Sequence, residues 1–181
     1  MTSGAGRPAG LARRLGASAY EGLLLAALLV LVGFALLPVV TPARDPTVAP
    51  ATTGLQAATP LYTMSAGGRR LSGTVFFALA GLYCSWSWSG GRRSLPMKTW
   101  RLALRAATGG PVSVSTATLR YLACWAGPAL AVATYQALQT RGNGRWALVP
   151  LAFNYAWALA DRDRQFLQDR LARTRLVVAG P

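Results

Sequence analysis

Four apolar runs, separated by polar and basic stretches, set the pattern of this chain. The first, Gly22 to Val40, holds nineteen uncharged residues. About twenty helical residues, at about 1.5 Å of rise each, cross a hydrocarbon core of roughly 30 Å, so this run predicts a transmembrane helix. Leu71 to Ser89 predicts a second crossing and ends in Trp86 and Trp88, as expected of amphipathic rings at a headgroup layer. Leu119 to Gln139 carries Arg120 at its start and Pro128 inside, and Trp146 to Ala160 has only fifteen residues. Each is short of a clear span by itself. The turn sequence between them, Gln139 to Arg145, predicts a helical hairpin of two crossings, the second extended by the polar residues after it. Three crossings, with one of these two runs lying on the surface, is the other reading.

The connecting stretches have their own patterns. Met1 to Ala19 is a basic segment with Arg7, Arg13 and Arg14 and no acid. A basic leader before an apolar run also describes a cleaved signal peptide. However, this run is longer than the usual apolar region of one, and Val40-Thr41-Pro42-Ala43 is a poor cleavage sequence. Ala43 to Arg70, rich in Pro, Thr, Gly and Ala, predicts a loop. Between Gly90 and Thr118, Trp100, Leu102 and Leu104 alternate with Arg101, Ala103 and Arg105, and Val112 to Ser115 alternates again after a Thr-Gly-Gly-Pro break. That period predicts a short β-hairpin at the membrane surface, with an amphipathic interfacial helix over Pro96 to Ala107 as the alternative. In the closing stretch, DRDRQFLQDRLARTRLVV, a helix from about Asp163 to Ala172 would set Gln165, Asp169 and Arg173 on one face. Such a helix would lie on the cytoplasmic surface, and Thr174 to Val178 would add a strand to the hairpin. The fold class expected is an all-α membrane protein, a bundle of about four transmembrane helices with a small cytoplasmic β-hairpin and an amphipathic C-terminal helix.

Charge orients this arrangement. The 181 residues include 19 Lys and Arg against 5 Asp and Glu, a formal net charge of +14. With the N-terminus inside and four crossings, fourteen of the nineteen basic residues fall on the inner side, which predicts both termini in the cytoplasm. Because the basic residues sit in the gaps between apolar runs, the partner they suggest is a lipid bilayer with anionic lipid at the cytoplasmic face, and not nucleic acid. There is no His, which removes the Ser-His-Asp, Cys-His and HExxH chemistries. Cys84 and Cys124 lie far apart in apolar segments, without zinc-ligand spacing, and neither a GxGxxG nor a phosphate-binding loop occurs. No catalytic, cofactor-binding or metal-ligating residue is therefore expected, and the chain does not read as an enzyme.

Three pieces of sequence resemble the RDD family of bacterial membrane proteins over roughly residues 9 to 178. They are RRLGASAYE before the first apolar run, the block LPMKTWRL from Leu95 to Leu102, and the closing DRDRQFLQDRLARTRLVV. The family is named for one Arg and two Asp. By motif these positions are Arg14, Glu21 in place of the first Asp, and Asp169. The chain departs from the family pattern where Arg92 to Pro96 lacks two glycines, and where the usual His and Gly around Asp169 are Gln168 and Arg173. The resemblance implies a multi-pass protein of the bacterial inner membrane whose activity is mostly unassigned, with transport proposed for some relatives.

Arg14, Glu21 and Asp169 are the candidate functional residues. Glu21 follows Arg14 by two helical turns, so the two share a face about 10.5 Å apart along the axis. Glu21 either binds or relays a cation or forms a structural ion pair, with a cation from the 90 to 120 segment as one partner. Asp169 is expected to tether its helix to arginines near Glu21, the alternative being a merely solvated carboxylate. Trp86, Trp88, Trp125 and Trp146 read as interfacial anchors, and Asn154 as a hydrogen-bonding group between helices. Two classes of function remain. One is a transporter or channel component, which with four short helices calls for a homo-oligomer. The other is a non-catalytic scaffold or assembly factor with a basic cytoplasmic face.

Overall fold

A computed structural model of the chain describes residues 7–40 and 64–179. The loop expected over Ala43 to Arg70 lies outside the described residues up to position 63, as do the first six residues of the basic segment and the cleavage sequence beyond Val40. The described chain is mostly helical and falls into two compact units, residues 24–80 and the remainder.

In the 24–80 unit, helix α1 (Leu11–Val40) and helix α2 (Ala66–Trp88) supply the secondary structure. Ser65 starts α2 by taking the Gly68 N–H on its hydroxyl at 2.9 Å, satisfying one of the donors a helix start leaves free. Arg69 and Arg70 are therefore helical, and the loop ends sooner than their polarity suggested. Among the described residues α1 alone is both long and apolar enough to cross a membrane, and only 6% of its apolar window is buried. A soluble core helix would be mostly buried; this one presents Leu23, Val30, Leu31 and Phe34 outward.

The other unit holds the start of α1, the end of α2, and helices α3 (Leu95–Thr99), α4 (Val114–Cys124), α5 (Ala126–Leu138), α6 (Phe153–Ala160) and α7 (Leu167–Leu171). The run expected to form a third crossing is broken at Trp125 into α4 and α5. Pro128 explains the break. It has no N–H for the Cys124 carbonyl four residues back, and its ring crowds that carbonyl. The Asn154 side-chain amide takes over, donating to Cys124 O at 2.7 Å and Ala123 O at 3.2 Å, the bond between helices expected of Asn154. The run expected as the fourth crossing is a 3-10 helix over Gly144–Ala152 followed by α6, and it packs on α5 as the expected hairpin. Gly127 permits the approach: a Cβ there would stand 3.0 Å from the Leu151 carbonyl oxygen.

The sheet is not the hairpin expected from the alternating pattern. Strand β1 (Leu102–Ala106) pairs antiparallel with β2 (Thr174–Val178), and Val112 to Ser115 forms no strand. Ser113 instead caps α4, accepting the Thr116 N–H at 3.2 Å, so the second half of the alternation marks a helix start. The two strands are reached in the same way. Each follows a five-residue helix, α3 or α7, then one capping residue, Trp100 or Ala172, then an arginine with positive φ, Arg101 at 51° or Arg173 at 50°. Leu104 pairs with Leu176 at the centre of the ladder, and each stands third in its strand. The two helix–turn–strand pieces are thus related by a local two-fold axis through that pair. Segment Arg7 to Ala9 flanks β2, with Val178 N–H donating to Arg7 O at 2.9 Å and Ala9 N–H to Leu176 O at 3.1 Å.

Candidate functional site

The site begins with a face of α1. Arg14 and Glu21, two turns apart, are both buried, 5% and 8% exposed. Between them Gly16 leaves room for Trp100, whose ring would meet a Cβ there at 2.6 Å. The RRLGASAYE and MKTWRL motifs therefore touch, and the small residue in the first is what lets the aromatic of the second lie down.

Glu21 receives the Ser94 hydroxyl on Oε2 at 2.7 Å. Ser94 stands at the N-terminus of α3, where its hydroxyl would ordinarily cap the helix, yet it makes no capping bond. Pro96 in the first turn removes one of the N–H groups it would have served. The Tyr83 hydroxyl faces the same carboxylate. Glu21 Oε1 has no partner among the described residues. The 90 to 120 segment thus supplies a hydroxyl to Glu21 and forms no ion pair with it.

Asp169 is 1% exposed and accepts from Arg120 Nε at 2.7 Å, an ion pair in which both side chains are buried. The Arg120 guanidinium also lies 4.2 Å from the centre of the Trp88 ring. The carboxylate and the aromatic face offset part of the hydration this buried cation has lost, while Asp169 Oδ2 has no hydrogen-bond partner among the described residues. Trp88 is consequently a buried platform, not the interfacial anchor expected, whereas Trp86 is exposed with Arg92 over its ring at 5.0 Å. The ion pair joins α7 to α4. Arg173, the expected neighbour of Asp169, lies beyond the helix end and is exposed. The helix itself is shorter than the expected Asp163 to Ala172, and α6 is not extended by the polar residues after it. Both follow from Asp161, whose carboxylate accepts the N–H groups of Asp163 at 3.1 Å and Gln165 at 2.9 Å and holds that stretch as a turn.

Arg14 lies over Phe166 at 5.6 Å, and Phe166, fully buried, takes the edge of Tyr155. Asp169 follows Phe166 by three residues, so one short segment carries partners for Arg14 and for Arg120. Cys84 is buried near enough to both Glu21 and Arg120 for each charge to act on it. No group of three or more His, Cys, Asp or Glu side chains that could hold a metal ion occurs among the described residues.

All three sequence candidates are thus buried in the 1–23 and 81–181 unit. Sequence reasoning missed Arg120, Ser94 and Trp88. For Arg120 a signal existed: a lone cation within an apolar run must find one of very few acids. For Ser94 and Trp88 there was none, because a serine at a helix start and a tryptophan at an apolar boundary each have a commoner use.

These features define a helical protein with one long, little-buried apolar helix whose foot carries two buried charges, Arg14 and Glu21. A family model for the RDD family matches residues 8–173, nearly the whole chain, and the chain belongs to that family. No curated protein and no solved structure matches it.

Proposed function

We propose that this protein is an integral membrane protein that binds and passes a small cation, a proton or a hard monovalent ion, at Glu21. The observation that carries the reading is the pairing pattern of the two buried carboxylates. Each carboxylate has one oxygen without a hydrogen-bond partner among the described residues, but Asp169 has its own cation in Arg120, whereas Glu21 has two hydroxyl neighbours and no cation paired with it among those residues. Carboxylate and hydroxyl oxygens are ligands for hard cations, and ionisable side chains buried in membrane proteins mark ion and proton paths.

The membrane setting is supported by the family and by the apolar, little-buried helix α1. The reading takes four crossings, with both termini on the cytoplasmic side of a bacterial plasma membrane. Pairing of Arg7 to Ala9 with β2 supports the shared side. A path through four short helices requires a homo-oligomer.

The test is ion flux in proteoliposomes under imposed proton and sodium gradients, comparing wild type with Glu21→Gln at matched protein content. Flux at least tenfold lower in the variant, with unchanged helical content, is the expected result. Wild-type flux no greater than that of empty liposomes under every gradient would overturn it and leave the scaffold reading.

A further inference from the structure

A second feature, independent of Glu21, is a cleft of about 200 Å³ against the two-stranded sheet. Its walls include Pro8 from the segment beside β2, Gln165, and four charged side chains: Arg14, Arg105, Arg175 and Asp163. Arg105 and Arg175 are directly paired across the ladder. Facing positions in an antiparallel pair set their Cβ atoms about 5 Å apart, and like charges there repel, a cost that folding alone gives no reason to bear. Arg105 has no ion pair among the described residues, and Arg14, 95% buried, has an Nε without a partner. The one carboxylate, Asp163, meets Arg175 only at 3.8 Å and is shared with Arg170 at 3.3 Å. Three guanidinium groups therefore face one divided carboxylate.

We infer that this cleft is a binding site for a phosphate group, either the headgroup of an anionic lipid or a soluble phosphate ester. Guanidinium groups are planar forks that match phosphate oxygens two at a time, and two of them opposed across a ladder can grip one phosphate between them. The net positive charge of the lining suits a mono- or dianion. The volume is below that of pockets for drug-sized ligands, so a headgroup or small ester fits and a nucleotide does not. In the absence of ligand, Asp163 competes for Arg175 and lowers the affinity.

The test uses the full chain in nanodiscs. One arm titrates glycerol phosphate into discs of phosphatidylcholine at fixed ionic strength. The other measures by native mass spectrometry which lipid is retained from discs of mixed phosphatidylglycerol and phosphatidylcholine. Saturable binding in the first arm identifies a soluble ester, and selective retention of phosphatidylglycerol in the second a lipid; either supports the site. In the arm that responds, Arg105→Gln with Arg175→Gln should weaken binding at least tenfold, and Asp163→Asn, an exposed change that spares both arginines, should strengthen it. Binding in neither arm, or binding indifferent to all three substitutions, would overturn the inference. Flux through Glu21 does not enter either outcome.

Discussion

Asp169 illustrates how much one carboxylate can carry when acids are scarce. Its bond to Arg120 is buried on both sides, so removing the negative charge strands a guanidinium away from water, with only the Trp88 face left to it. Breaking such a pair from one side costs about 3 kcal/mol or more. Asp169→Asn should therefore lower the melting temperature in detergent clearly. Arg170→Gln, which removes a long 3.7 Å contact to Asp161 and an exposed one to Asp163 from an arginine that is itself half exposed, should shift it much less, since exposed pairs contribute about 0 to 1 kcal/mol. Equal melting of Asp169→Asn and wild type would show that the tether does not hold α7. Motif resemblance singled out the three candidate positions in the sequence, and the structure buries all three. Their partners were not legible there, because an acid and its arginine 49 positions apart are joined only by the way α4 and α7 pack.

At the scale of elements, local chemistry overrode periodicity in two places. Alternation at Val112 to Ser115 read as a strand, but a serine with a threonine three residues on is also a helix start, and the cap won. The apolar run through Leu119 to Gln139 read as one helix, yet Pro128 within it was the warning. The break yields a further test. Asn154→Ala should destabilise the protein by about 1 to 3 kcal/mol, because the Ala123 and Cys124 carbonyls lose their donor. Combined with Pro128→Ala, which restores an N–H to the helix, the same substitution should cost less. Additive losses in detergent melting would mean that the two residues do not serve the same Cys124 carbonyl. The matching construction of α3–β1 and α7–β2 was present in the sequence only as Leu95, Arg101 and Leu104 against Leu167, Arg173 and Leu176. Three identities at a fixed offset are too few to see without the ladder that relates them.

For the molecule as a whole, apolar runs conveyed the helical class and three motif stretches the family, while the arrangement of the short elements around the sheet depended on pairings between distant segments. If both ends lie in the cytoplasm, a reporter active only outside it should give no signal when fused to either terminus, and one active only inside should give a signal at both. Opposite results at the two ends would exclude an even number of crossings. The pairing of Arg7 and Ala9 with β2 also sets a timetable. Residues 7 and 178 leave the ribosome some 170 residues apart, which at about 5 to 20 residues per second is a delay on the order of ten seconds or more. Throughout that interval α1 has emerged, but the edge that receives the segment before it does not yet exist. Arg14 must meanwhile wait without Phe166, and Arg120, once made, without Asp169 for a further 49 residues. The nascent chain therefore carries buried-to-be positive charge without its partners until the segment from Phe166 to Asp169 is made, late in synthesis.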